Sequence, residues 1–448
     1  MNKMKKAALS SCALLVFAPT AALAADHGEM EPTSTTAAAD LRADLDYLLS
    51  EHFVLAVETM QKTYDEAPDA EAVEDALYQN SMDMVTALEP IYGEDGAEAF
   101  GDIFISHNDY TDDLVEAAKT GDEEARADAE EEIEEFVIEF STFLDAATEG
   151  NLPQEAAEEA VRAHEMDVLS AFDHYVAEDY EGAYTSYREG FDRMFDISKA
   201  LSGAIVTQMP EAFDNTSVDT PAADLRSALN QLAGEHFALA TLGMQKGFHQ
   251  APDYDFVTWA EDQNSLDFQG AIASIYGEEA GEQFLALWEP DHINAQSEIV
   301  TAAIEEDMEK REMAMTHIDS FTQEFGAFLG AATEENLPTE AAQESLAVHE
   351  EQVLRTFDQR TEENYQDATA SFREGYQFMF GVGEALSSAI VTQMPDEFSQ
   401  EAEMPEEMPA TGLGGTSSGM ISLWAVTAAA LAAAGAFLFG RSRMNKEA

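Results

Sequence analysis

The sequence is poor in cysteine and in basic residues. Among its 448 residues there is one Cys, at position 12, so an intrachain disulfide and a cysteine-based zinc site are both excluded. Only 21 Lys and Arg residues stand against 90 Asp and Glu, which gives a formal net charge of −69. A chain with this charge repels phosphate groups, and a nucleic-acid-binding function is therefore excluded.

Strand patterns and several familiar site motifs are missing as well. No stretch alternates apolar and polar residues as a half-buried strand would. There is no EF-hand loop, no His-Glu-x-x-His zinc helix, no Gly-rich phosphate loop and no Ser-His-Asp arrangement. Hydrophobic residues nevertheless make up 45% of the chain, which is enough to bury real cores and argues against disorder throughout.

The N-terminus has the pattern of a secretory signal peptide. Three lysines within the first six residues precede an apolar run over 7–23, and the run ends in the small-residue pattern Ala22-Leu23-Ala24. This order predicts a signal peptide over residues 1–24, followed by a linker over 25–39. Because Cys12 lies in the signal peptide, we expect the mature chain to contain no cysteine.

The C-terminus has three ordered elements: a polar linker over 399–419, an almost uncharged stretch over 420–440 that is long enough for a transmembrane helix, and a basic tail over 441–448. The linker contains Met408, Pro409, Ala410, Thr411 and Gly412 in succession. This arrangement resembles the LPxTG-type sorting signal of Gram-positive cell-wall proteins, with Met408 where that family has Leu.

The resemblance implies that sortase cleaves after Thr411 and joins it to peptidoglycan. We therefore expect sortase and peptidoglycan as partners, and an extracellular, cell-wall-anchored body. The alternative is a protein held in the membrane by the 420–440 helix, again with the body outside the cell. In either case the membrane is contacted only through this helix.

The middle of the chain consists of one unit that occurs twice. Residues 40–213 return as residues 224–398, with a linker over 214–223 between them. Each copy is as long as a domain, which indicates a tandem duplication. The clearest matches are Glu51-His52-Phe53 with Glu235-His236-Phe237, and Ala204–Pro210 with Ala389–Pro395, the latter without a change.

Apolar residues recur with the helical period in both copies, and Gly and Pro fall between the periodic stretches. The predicted fold class is therefore all-α, with two tandem antiparallel helical bundles of about six helices each. In the first copy the pattern predicts helices near residues 40–63, 70–91, 96–119, 122–148, 153–178 and 180–208.

Three histidines occupy matching places in both copies, and each falls on the apolar stripe of its helix. In the first helix, for example, Leu45, Leu48, His52 and Leu55 share one stripe. Helices of a bundle would let three such side chains converge, even though a one-residue insertion near Pro290 changes the spacing in the second copy. The candidate metal ligands are His52, His107 and His164 in the first copy, and His236, His292 and His349 in the second.

These histidines support two interpretations. As metal ligands, three imidazoles with a thioether suit copper, three imidazoles with water also suit zinc, and haem is a further alternative. As structural residues, they would be core histidines that are hydrogen-bonded to their neighbours, with the methionines as core filler. The candidate soft ligands are Met60, Met194, Met244 and Met379.

A resemblance covers both copies. Residues 222–229, 263–265, 275–281 and 288–293 are similar to a family of secreted helical tandem-repeat proteins of Gram-positive bacteria, whose members often carry the label copper amine oxidase. The chain has no His-x-His pair such as that enzyme uses for copper. Its segment 361–366 ends in Gln366, where the quinone-forming motif has Asp or Glu after the tyrosine, here Tyr365.

The favoured function is a cell-surface helical binding protein with a His-centred metal site in each repeat, copper being preferred. The first alternative is a structural or adhesive surface module without metal, and the second is a copper-dependent oxidase, so an enzyme is the less favoured reading. Because the acidic residues are spread over the outer helix faces, the charge indicates adaptation to salt, and we expect a halophilic host.

Overall fold

The computed structural model describes residues 31–399, which consist of helices and the turns between them, without a strand in this range. The prediction of an all-α helical bundle is confirmed. The helices of the first copy are α1 (Ala37–Tyr64), α2 (Ala70–Phe104), α3 (Asp109–Thr120), α4 (Glu123–Ala147), α5 (Gln154–Val176) and α6 (Tyr180–Gln208). Those of the second copy are α7 (Pro221–His249), α8 (Tyr254–Tyr276), α9 (Glu278–Trp288), α10 (Asn294–Glu305), α11 (Met308–Ala332), α12 (Thr339–Thr361) and α13 (Tyr365–Gln393).

The first helix of each copy begins at a threonine cap. Thr36 precedes α1, and its side-chain oxygen accepts a hydrogen bond from the backbone N–H of Ala39. Thr220 precedes α7 and accepts from the N–H of Ala223 in the same way. Each cap satisfies one of the backbone donors that the first turn of a helix leaves free. The duplication is thus visible at the level of single hydrogen bonds.

The predicted helix over 96–119 is interrupted, because the chain leaves the α-helical path around His107. The α2 helix is kinked at Gly93, whose φ of 75° lies in the left-handed region that favours glycine. It ends at Phe104, and a 3-10 turn over Ile105–Asn108 leads into α3. The side chain of His107 therefore comes from an irregular turn and not from the middle of a regular helix.

The second copy has an interruption at the corresponding place. Gly277, with a φ of 90°, separates α8 from α9, and a π turn over Glu289–Ile293 separates α9 from α10. A π turn holds one residue more than an α-helical turn, so it absorbs the insertion near Pro290. As a result, His292 remains fully buried despite the shifted spacing.

Helices α1 and α7 form the centre of the fold. Within its own copy α1 packs against α2, α3, α5 and α6, and it also contacts α7 and α13 of the second copy. A single hydrophobic cluster contains Phe53 and Val54 from α1 together with Phe237 and Leu239 from α7. The two copies thus share one core. Helix α1 is buried both on the face that packs against its own copy and on the face toward the second copy.

Reciprocal buried ion pairs join the two copies. Arg188 of the first copy donates to Glu235 of the second at 2.8 Å, and Arg373 of the second donates to Glu51 of the first at 2.7 Å. Arg188 also pairs with Asp267 of the second copy at 2.6 Å, and Arg373 with Asp83 of the first copy at 2.8 Å. Since a buried charge is costly without a partner, these contacts specify how the copies pack.

The few basic residues in the described part of the chain are all used in ion pairs. Every Lys and Arg between residues 31 and 399 forms at least one ion pair. Several of them are buried, as Arg42 is against Asp224 and Arg226 against Asp40, both at 2.5 Å. The acidic residues on the outer faces therefore carry most of the uncompensated charge.

Within residues 31–399 no helix is both long and apolar enough to cross a membrane. The signal peptide predicted over 1–24, the sorting motif at 408–412 and the transmembrane segment predicted over 420–440 all lie outside the described residues.

Candidate metal centre

Three imidazoles meet in the core of the second copy. His236 comes from the central helix α7, His292 from the π turn, and His349 from the middle of α12. Each offers a ring nitrogen that lies within 4.8 Å of the nitrogens of the other two. The ring centroids are 5.0, 5.4 and 5.7 Å apart. This spacing leaves room for one shared ion between the three rings.

The ring nitrogens of this triad have no hydrogen-bond partners. Both nitrogens of His236, His292 and His349 are buried and unpartnered. A structural core histidine would normally bond to a neighbouring donor or acceptor, because an unsatisfied buried polar group costs about 1–3 kcal/mol. Six unsatisfied nitrogens in one place therefore require an explanation, and ligation of a cation would supply one.

Aromatic rings close the second centre. The ring of His292 stacks on Phe321 with centroids 4.4 Å apart, and the rings of His292 and Trp288 form a T-shaped pair with centroids 4.4 Å apart. Trp288 also lies 4.7 Å from His236, while its indole N–H donates to Ser265 at 3.1 Å. These contacts fix the orientation of two imidazoles and keep water away from them.

The first copy brings its three histidines together more loosely. His52 lies at the centre, with ring centroids 5.0 Å from His107 and 5.8 Å from His164. The Nε2 atoms of His52 and His107 are 3.1 Å apart. Two nitrogens on one tetrahedral ion would be about 3.3 Å apart for metal–nitrogen bonds near 2.0 Å, so this separation is close to the one an ion would impose.

The orientation of His107 is fixed by its backbone. Its Nδ1 faces the carbonyl oxygen of Phe104 one turn earlier, and the N–H at Nδ1 donates to that oxygen. The lone pair of the neutral ring is then on Nε2, the atom that faces His52. The ring also stacks on Phe136 at 4.7 Å. The 3-10 turn thus orients the imidazole for ligation through Nε2.

Burial keeps all six imidazoles neutral. It lowers the pKa of His107 to about 4, that of His164 to about 3 and that of His349 to about 4, and His107 and Arg193 add to the lowering of the pKa of His164. Burial, followed by repulsion from the neighbouring imidazoles, also places the pKa of His52, His236 and His292 well below its ordinary range. The neutral ring is the form that binds metals.

One buried glutamate stands beside each triad, at a position that the sequence analysis did not select. Glu165 follows His164 and Glu350 follows His349. Burial raises the pKa of Glu165 to about 7, with a lowering contribution from Tyr110, and raises that of Glu350 to about 8. The signal in the sequence was the His-Glu dipeptide that recurs in both copies. The helical period alone, however, does not distinguish a buried glutamate at this position from one on the surface of the helix.

Of the four candidate methionines, only Met60 lines the cavity beside the first triad. Met60 lines a small cavity together with His52, His107 and His164, and this cavity has room for about one water-sized group. Met194 is not among the residues that line it. Met194, Met244 and Met379 are buried side chains of the shared core.

Tyr365 of the oxidase-like segment begins α13 and is partly exposed, so it does not belong to the buried triads. Comparison with known proteins brings no further assignment: no protein family, no curated protein and no solved structure matches this chain. The likeness to the secreted tandem-repeat family stays a prediction, and the class of site rests on the geometry alone.

Proposed function

We propose that this protein is a helical metal-binding protein of the cell surface, with one ion held by three imidazoles in each copy. The observation that carries the proposal is the second triad, in which His236, His292 and His349 place their nitrogens within 4.8 Å of one another without any hydrogen-bond partner. Three neutral imidazoles form a ligand set for Cu²⁺ or Zn²⁺.

Copper is the preferred ion, because nitrogen ligands bind Cu²⁺ more tightly than other divalent ions of the first row. Zinc is the first alternative. Haem is less well supported, since aromatic side chains fill the space around both triads and a porphyrin needs a broad flat cleft. The binding or buffering of an ion outside the cell requires no catalytic residue. The tyrosine of the oxidase-like segment, Tyr365, is partly exposed and lies outside the triads.

The wider setting of the protein is part of the same proposal. We infer secretion through the signal peptide and attachment to peptidoglycan by sortase at Thr411, with the 420–440 helix in the membrane before cleavage. We also infer that each copy is an antiparallel bundle of its own, and that the acidic surface suits a saline medium. The shared core and reciprocal ion pairs imply that the two bundles unfold together.

Elemental analysis of the protein purified from native medium tests the proposal. We expect one ion per copy in the wild type, and the loss of one ion in either His52→Leu or His236→Leu. His174→Leu is the matched control, because this histidine is 44% exposed and pairs with Asp179 at the surface. A wild-type protein that takes up no copper or zinc at stoichiometric levels would contradict the proposal.

One observation favours the structural or adhesive alternative. In the first copy Nε2 of His52 and Nε2 of His107 are close enough for a direct hydrogen bond, and His107 also bonds to Phe104. If histidine packing is the whole role of that triad, His52→Leu will change the melting temperature without changing metal content. The oxidase alternative requires a modified Tyr365, so mass spectrometry after exposure to copper and air tests it directly.

A further inference from the structure

The two buried glutamates beside the triads differ from the other buried glutamates of the central helices. Glu51 accepts hydrogen bonds from Arg373 and Asn80, and Glu235 accepts from Arg188 and Asn264. Glu350, by contrast, is 2% exposed, and neither of its carboxylate oxygens has a hydrogen-bond partner. The fold supplies an arginine for Glu51 and another for Glu235, but no lysine or arginine between residues 31 and 399 forms an ion pair with Glu350.

Glu350 contacts one histidine of the second triad. Its Oε1 lies 3.2 Å from Nε2 of His292, yet the two atoms do not form a hydrogen bond. Two ligand atoms on the same tetrahedral ion are about 3.3 Å apart when the bonds to the metal are near 2.0 Å. The distance between the carboxylate and the imidazole is therefore the one expected for two ligands of a shared ion.

The same arrangement recurs in the first copy. Glu165 is 4% exposed, its Oε1 has no partner, and it lines the cavity that His52, His107 and His164 also line. Its place is structurally matched, because His164-Glu165 lies on α5 as His349-Glu350 lies on α12. In each copy a buried carboxylate thus lies beside the histidine cluster: Glu165 lines the same cavity as its three histidines, and Glu350 contacts His292.

We propose that Glu350 and Glu165 are the fourth ligands, so that each centre is a set of three histidines and one glutamate for a divalent cation. This inference rests on the proposed function and refines it. An oxygen ligand of this kind suits Cu²⁺ or Zn²⁺, whereas Cu⁺ would prefer the thioether of a methionine such as Met60. The carboxylate also supplies a negative charge that three neutral imidazoles lack.

Titration of the full-length protein with Co²⁺ tests the assignment, because the visible absorption of Co²⁺ reports its ligands. Even the loss of a residue that only supports a metal ligand typically costs about 10- to 100-fold in affinity, so the loss of a direct ligand in Glu350→Gln should weaken Co²⁺ binding at the second centre by at least about tenfold and change the spectrum. Glu351→Gln is the matched control. Because Glu351 is exposed, this variant should bind Co²⁺ as the wild type does. Glu165→Gln should have the corresponding effect on the first centre.

The outcomes separate the two proposals. A wild type that binds no Co²⁺, Cu²⁺ or Zn²⁺ would overturn the proposed function itself. Wild-type binding with an unchanged affinity and spectrum in Glu350→Gln would overturn only the carboxylate ligand. If Glu350→Gln does not fold, infrared difference spectra of the wild type decide instead: a change in a carboxyl stretching band on Co²⁺ binding would support the inference, whereas no change in any carboxyl band would contradict it.

Discussion

Replacing His236 with leucine tests whether this histidine is a metal ligand or a structural residue of the core. The imidazole of His236 is completely buried, and both of its nitrogens are unpartnered. Leaving a buried polar group unsatisfied costs about 1–3 kcal/mol. Leucine has a similar volume and no polar atoms, and it can retain contact with Trp288, whose ring centroid lies 4.7 Å from that of the histidine. In the absence of metal, His236→Leu should therefore stabilise the fold by about 1–3 kcal/mol.

Metal should reverse this order. An ion that binds only the folded protein stabilises it by about 2.7 kcal/mol at a concentration of 100 times its dissociation constant. The wild type gains this amount at the second centre, and His236→Leu does not. The variant should consequently be the more stable protein in EDTA, and should lose most or all of that advantage, or fall below the wild type, when Zn²⁺ is in excess.

Urea denaturation followed by far-ultraviolet circular dichroism, in EDTA and in excess Zn²⁺, measures both effects. His174→Leu serves as the control, because its half-exposed side chain should give the same small change in both media. The reasoning fails if His236→Leu is destabilised by more than about 2 kcal/mol in EDTA and by the same amount in Zn²⁺, since large-to-small losses of that size are typical of a packed core residue.

Three further predictions concern charge. Burial raises the pKa of Asp46 to about 6 in the folded protein. The ionised form of Asp46 therefore destabilises the folded state, and this effect is absent below the unfolded pKa near 4 and complete above pH 6. Asp46→Asn, which copies Asn230 of the second copy, should therefore gain roughly 3 kcal/mol more over the wild type at pH 7.5 than at pH 4, and equal offsets in urea midpoints at both pH values would argue against it. Arg373→Met leaves Glu51 buried and unpaired and should cost about 3–5 kcal/mol, whereas Arg355→Met, at an exposed pair, should cost less than about 1 kcal/mol; similar losses for both would show that the buried pair is not special. The melting temperature should rise between low salt and about 1 M NaCl, where the Debye length falls to about 3 Å, and a flat or falling value would contradict salt adaptation.

Much of the helical framework follows from local patterns. The predicted helices near 153–178 and 180–208 correspond closely to α5 and α6, because Pro153 and the polar residues before Tyr180 mark helix starts that depend on nearby residues only. The inward stripe of α1 that includes His52 is buried as predicted. The interruption at His107 was missed, since 3-10 and π turns preserve most of the apolar period that identifies a helix.

The relation between the copies could not be read in the same way. Arg188 and Glu235 lie 47 positions apart and on different copies, and no local pattern indicates which acid a given arginine will meet. The same holds for Glu350, which occupies a polar position of an amphipathic helix and is buried only because other helices cover it. Pairing across the fold depends on the packing of whole helices, which single-sequence periodicity does not describe.

The sequence by itself determined that the chain is helical, that its unit is duplicated, that its histidines recur on apolar stripes and that its charge is overwhelmingly acidic. These properties depend on residue type and on spacings of a few positions. Only the tertiary structure decided that the imidazoles of each copy meet, that their nitrogens are left unpartnered, that a buried glutamate faces them and that the two copies share one core. Those properties depend on distances between segments far apart in the chain, because side chains become neighbours only when the helices that carry them pack.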